Sequence, residues 1–174
     1  MKLAIRNKWI SLGGSSVVRD LEEHDVLKVK GKFFTFTSKK FVQDLEGNTL
    51  YIVRNKFWRL FHYRALVLTP DKKVVAKLTK KIFSLHDRYL FDSDLGDLEI
   101  KGNILGFDYH VTLNGEEIAH VSRMISLRDS FLLETYRDDA IDYHLLVAFI
   151  IAIDIITDRI RRNASSSVSS SSSD

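Results

Sequence analysis

Residues 145–156, LLVAFIIAIDII, limit what this chain can fold into more than any other stretch. From Leu145 to Ile153 every residue is apolar. A helix with no polar face must be buried in protein or in lipid. The apolar pattern extends from Ile141 to Ile160, which is longer than a strand of about 4–8 residues. Asp139 is a candidate N-cap, with Asp142 in the capping-box position three residues later. Arg159, Arg161 and Arg162 follow, where cations complement a helix C-terminus. A membrane span needs about 20 apolar residues, whereas runs of about 10–14 are characteristic of core helices. Asp154 and Asp158 interrupt the run, and a carboxylate is costly inside a bilayer. The expectation is a core helix rather than a tail anchor.

The sequence before this helix reads as β-structure. Residues 2–10 alternate charged and apolar side chains, and residues 26–30 form a second strand, with Gly31 a candidate bend or bulge. Phe33, Phe34 and Phe36 continue the β character. A strand–turn–strand unit then recurs. The turns are Asp44 to Asn48, Thr69 to Lys73, the acidic segment Asp92 to Asp97, and Asn114-Gly115. Asn-Gly is the strongest short hairpin signal, and Pro70-Asp71 suits a type I turn. Regular spacing of such units indicates a sandwich or barrel. The expected fold is mainly β: a closed antiparallel barrel of about twelve strands enclosing the hydrophobic C-terminal helix. So wide a barrel has a lumen that short side chains alone do not fill, and an all-apolar helix would fill it.

The chain has 174 residues, enough for one domain with a real core. The domain is expected over residues 1–162, and the Ser-rich residues 163–174 are expected to be a disordered tail. With no cysteine, thiolate catalysis, disulfides and Cys-based zinc sites are excluded. The first residues form no apolar signal segment, so a cytoplasmic location, with peripheral membrane attachment as an option, is the expectation. The net charge of +3 is compatible with an anionic partner without demonstrating one.

Several pieces, in order, resemble a known family. They are Asp44-x-x-Gly47-x-x-Leu50-Tyr51, then residues 98–103 (LEIKGN) with Tyr109-His110-Val111, then residues 114–122 (NGEEIAHVS), Phe131, and the helix ending in Ala152-Ile153-Asp154. This is similar to the LURP-one-related family of the tubby C-terminal-like superfamily, which is related to the phospholipid scramblases. The resemblance implies a twelve-stranded barrel threaded by an apolar helix. It implies no catalytic residues. Tubby proteins bind phosphoinositide headgroups through basic residues, and scramblases are proposed to move lipid in response to calcium.

No motif for an enzyme is present. Gly13-Gly14-Ser15-Ser16 lacks the closing glycine of a nucleophile elbow, and there is no phosphate loop, dinucleotide fingerprint or His-Glu-x-x-His. No cofactor is expected. Lys28, Lys30 and Lys32 alternate and so share one strand face. With Lys72 and Lys73 they are the candidate ligand-binding residues. Lys39, Lys40, Lys77, Lys80 and Lys81 add positive charge. Solvated barrel strands and guarded edges are the plainer explanation. Asp138, Asp139 and Asp142 are a calcium alternative, although helix capping accounts for them without a metal. Residues 92–97 place Gly at the wrong position for an EF-hand. Counted from the two-residue turn Asn114-Gly115, His110 pairs with Ala119 and Tyr109 with His120. The two histidines then point to opposite faces, unless the register differs. Trp58 and Phe61 among basic residues would suit base stacking, but core packing explains them better, and no specific nucleic-acid binding is expected. The reading is a non-enzymatic binding module for anionic phospholipid headgroups or another phosphorylated ligand. The alternatives are an intracellular scaffold or protein-interaction domain and a scramblase-like lipid-moving protein.

Overall fold

The computed structural model describes residues 1–6, 15–32, 39–55, 64–81, 87–103, 108–123 and 130–168. The twelve strands are β1 (Lys2–Arg6), β2 (Ser15–Asp20), β3 (Asp25–Lys32), β4 (Lys39–Gln43), β5 (Thr49–Asn55), β6 (Arg64–Leu68), β7 (Val74–Lys81), β8 (Asp87–Ser93), β9 (Leu98–Asn103), β10 (Asp108–Leu113), β11 (Glu116–Arg123) and β12 (Ser130–Thr135). They are followed by one helix, α1 (Tyr143–Val168). Each strand pairs with its neighbours in sequence, and β1 pairs with β12, closing the barrel. Closure leaves no unpaired edge. Phe33, Phe34, Phe36, Trp58, Phe61, His62 and His86 lie outside the described residues.

Alternation places one set of side chains inside. Leu3 and Ile5 on β1, Val53 on β5, Leu78 on β7, Ile100 on β9 and Leu133 on β12 all belong to one core with α1. From Leu145 to Ile153 the helix is buried on every side: Val147, Ala148, Phe149, Ile151 and Ala152 are completely inaccessible. The all-apolar run is thus the filling of the barrel. The helix lies nearest to β4, β5, β6 and β7, where Ala65 and Ala76 face inward and let the backbones approach. Larger residues, Tyr89, Phe91 and Tyr109, come from β8 and β10. Among the described residues, no helix is long and apolar enough to cross a membrane.

The helix begins later than Asp139. Asp142 is the N-cap: its Oδ1 accepts the His144 amide at 3.0 Å, and its carbonyl accepts the amides of Leu145 and Leu146. A turn at residues 137–140, closed by the Ala140 amide on the Arg137 carbonyl at 3.2 Å, takes Asp139 out of the capping position. At its other end the helix includes residues 163–168.

Five turns, at residues 21–24, 44–48, 69–73, 94–97 and 114–115, join even strands to the following odd strands. In an antiparallel meander they lie at one end of the barrel. Two are laced together: the Asp97 amide donates to Asn114 Oδ1 at 2.9 Å, and the Asn114 amide to the Asp97 carbonyl at 2.8 Å. Gly31 forms no bulge. It pairs in register with Lys40, whose stem occupies the space a side chain on Gly31 would need.

The bulge that matters for the outer wall is in β11. Leu113 pairs with Glu116 and Thr112 with Glu117, as a two-residue turn requires, but Val111 then pairs with Ala119. Ile118 is the extra residue, and both Ile118 and Ala119 are buried. One extra residue reverses the face of everything beyond it.

Candidate functional site: a basic wall and a histidine pair

On β3, Leu27 and Val29 point inward, so Lys28 and Lys30 face outward, as their alternation implies. Lys28 is half-buried, and its Nζ donates to the Leu45 carbonyl at 2.6 Å, tying β3 to the next turn. Lys30 is exposed. The side chain of Lys32 lies outside the described residues, but its backbone pairs with Lys39. Lys39 in turn pairs with Arg54 on β5. Three basic residues therefore follow one another across β3, β4 and β5. Beside them run Lys30, Phe41 and Ile52, also paired in register. The Lys39 ammonium sits 5.1 Å from the centre of the Phe41 ring, within cation–π range. Phe41 packs against Ile52, Leu66 and Leu68, a second apolar cluster separate from the barrel core.

Lys72 and Lys73 are exposed in the β6–β7 turn. Lys72 adopts a left-handed φ of 71°, and the Thr69 carbonyl and hydroxyl accept the amides of Lys72 and Lys73 at 2.9 and 3.1 Å. Three strand spacings separate β3 from β6, about 14 Å around the wall. The five lysines singled out from sequence are therefore spread along one side rather than gathered at a point. Arg54, exposed and aligned with Lys39, joins this side without having been singled out. Its signal was available only through the β4–β5 register. Lys40 turns inward beside Gly31, Lys77 is paired with Asp92 at 3.0 Å, and Lys80 lies over the Tyr89 ring.

The three acids before the helix are each engaged separately. Asp138 accepts from the Thr135 hydroxyl and from the Met1 amine. The hydroxyl bond foremost, then the ammonium, holds its carboxyl below the usual range. Asp139 bridges Arg137 at 3.0 and 3.2 Å, and this guanidinium likewise lowers its carboxyl. Asp142 caps the helix and accepts the Tyr51 hydroxyl at 3.2 Å.

Further round the wall, a concavity of about 730 Å³ lies over β7 to β10. Its floor carries charges of both signs: Arg88 pairs with Glu99, which also meets Lys101 at 3.2 Å. Beyond it the β11 bulge brings His110 and His120 opposite each other. This reverses the sequence expectation that they face apart, because Ile118 adds one residue between the turn and His120. The imidazoles stack with centroids 4.5 Å apart and planes 11° from parallel. His110 Nδ1 lies 2.9 Å from Glu117 Oε1, and His120 Nε2 lies 2.9 Å from Asp108 Oδ1. The other described histidines make simpler pairs, His24 with Asp20 and His144 with Asp142.

Among solved structures, the chain is similar to that of a protein from Arabidopsis thaliana. The two share 16% identity with a TM-score of 0.58, over 92% of this chain and 90% of the plant protein. At that identity the likeness speaks for the fold. A search of curated proteins gives no significant match. The LURP-one-related family pattern matches residues 1–154. That span takes in all twelve strands and the first part of α1, through Asp154, so the chain belongs to the LURP-one-related family.

Proposed function

We propose that the barrel is a non-enzymatic binding module, and that the basic side formed by β3, β4, β5 and the β6–β7 turn receives an anionic group. The ligand is a phospholipid headgroup or another phosphorylated molecule, met at the cytoplasmic face of a membrane. The observation that carries this reading is the cross-strand pairing of Lys39 with Arg54. Like charges directly opposite on a sheet destabilise it. Among the described residues, no carboxylate pairs with Lys30, Lys39 or Arg54 to offset that cost. A bound anion would. Phe41 between these charges gives the strip an apolar contact as well. The tubby-like superfamily resemblance supports the same chemistry. Residues 1–162 would form this module.

Co-sedimentation with vesicles tests the reading. Vesicles containing phosphatidylserine or phosphoinositide should carry the protein down, neutral phosphatidylcholine vesicles should not, and added salt should release it. Each basic residue near an anionic surface contributes about 1 kcal/mol. Replacing Lys30, Lys39 and Arg54 together by Gln should therefore weaken binding roughly 100-fold. Equal sedimentation with neutral vesicles, or none with either at low salt, contradicts headgroup recognition.

A second reading, an intracellular protein-interaction domain, is favoured by a different feature. The concavity over β7 to β10 presents Arg88, Glu99 and Lys101 together, and such mixed charge suits a protein surface better than a phosphate.

A further inference from the structure

The stacked histidines are held in an arrangement that neither barrel closure nor core packing requires. Both lie on the outer wall; the His110 side chain is 51% exposed and that of His120 21%. Asp108 stands on the same face of β10, one outward position from His110. One ligand atom from each of Asp108, His110 and His120 lies within 4.8 Å of the others, the one such convergence among the described residues. Glu117 adds a second carboxylate at His110.

We propose that Asp108, His110 and His120 form a surface site for a divalent first-row transition ion of the zinc class, with Glu117 as the residue that orients His110. The donor set decides the class of ion. Two imidazoles and one carboxylate suit zinc, copper or nickel, whereas calcium and magnesium take oxygen ligands. The hydrogen bonds assign the nitrogens. His110 directs Nδ1 at Glu117, which leaves Nε2 to ligate; a carboxylate behind a ligating histidine fixes its tautomer and ring. His120 directs Nε2 at Asp108 Oδ1, and the ion takes the place of the proton between them. Bonds of about 2.0–2.1 Å in a tetrahedral shell need ligand atoms about 3.3 Å apart. Exposed side chains on a strand reach that spacing by small rotations. Three protein ligands leave one position open to water or to a partner's side chain.

The flanking strands agree with a cation. On β12, Glu134 pairs with His120 across the ladder and is held by Lys2. On β9, Lys101 stands opposite His110, but Glu99 engages its ammonium at 3.2 Å. The β11 bulge assembles the site, since without Ile118 as an extra residue His120 would enter the barrel beside Tyr109.

Calorimetric titration of the chelator-treated full chain with zinc chloride tests the proposal. One ion per chain should bind with a dissociation constant in the micromolar range. His110→Gln and His120→Gln should each weaken binding at least tenfold, and Glu117→Gln about tenfold through loss of orientation. His24→Gln, at an exposed histidine–carboxylate pair elsewhere, should leave it unchanged. Thermal melts without zinc check that each variant folds, as expected for side chains on the outer wall. Absence of one-to-one binding by 100 µM zinc, or binding that survives His110→Gln and His120→Gln combined, overturns the site.

Discussion

The Phe91 ring on β8 and the Phe149 ring on α1 meet with centroids 4.2 Å apart and planes tilted by 41°. This contact joins the helix to the side of the barrel that small residues do not bring close. Phe149 is completely buried, and truncating it leaves a cavity that the surrounding ladder cannot collapse to fill. Phe149→Ala should cost about 3–5 kcal/mol. Urea unfolding followed by tryptophan fluorescence would show it as a lowered midpoint.

Gly102 is required by backbone geometry. Its φ is 142°, and a Cβ there would stand 2.4 Å from the Asp108 carbonyl oxygen and 2.7 Å from Tyr109 Cα. Backbone atoms cannot yield as a flexible side chain does. Gly102→Ala should therefore lose about 1–3 kcal/mol or more, read as a drop in melting temperature. The same change moves Asp108, so zinc affinity should fall with it.

Asn114 does two things in the β10–β11 turn. It adopts a left-handed φ of 52°, and its side chain accepts the Asp97 amide at 2.9 Å. Asn114→Ala loses both and should cost about 1–3 kcal/mol. Asn114→Gly keeps the conformational freedom and should recover part of that loss. Parallel melts of the two variants separate the contributions.

Asp44 closes the β4–β5 turn by accepting the Asn48 amide and the Asn48 side chain, both at 2.8 Å. The side-chain bond above all holds its carboxyl below the ordinary value. A carboxyl lowered in the folded state contributes stability that is fully present above its unfolded value, about 3.9, and is lost as pH falls through the folded one. Asp44→Asn should flatten the acid limb of the stability curve while leaving its shape near neutrality unchanged. Unfolding midpoints measured from pH 7 down to pH 2 would check this.

The barrel was legible because its signals are local. An outward Lys28 beside an inward Leu27, or Asn114-Gly115 between two alternating runs, needs no distant information. The helix was legible because residues 145–153 allow no exposed face. The histidine pair was hidden by one residue. Ile118 is an ordinary strand residue, and nothing around it marks a bulge, so a count from the turn put His110 and His120 on opposite faces. The N-cap was misplaced for a different reason: Asp139 and Asp142 are equivalent as sequence, and what separates them is a local turn at residues 137–140, in which Asp139 pairs with Arg137 two residues away. Arg54 joined the basic wall only through its register with Lys39. The histidine pair and the Arg54 contribution depend on which residues come opposite each other, and periodicity does not encode that.

The central claim is that the apolar helix is the core of the barrel. Ala148 lies within its unbroken apolar run and is completely inaccessible. An unpaired carboxylate buried there costs at least about 3 kcal/mol, a large part of a domain's total stability of about 5–15 kcal/mol. The most direct measurement is cooperative urea unfolding of Ala148→Asp beside the parent chain. The account predicts that the transition is lost or that its midpoint falls by the equivalent of at least 3 kcal/mol. A folded variant with the parent's midpoint would contradict it.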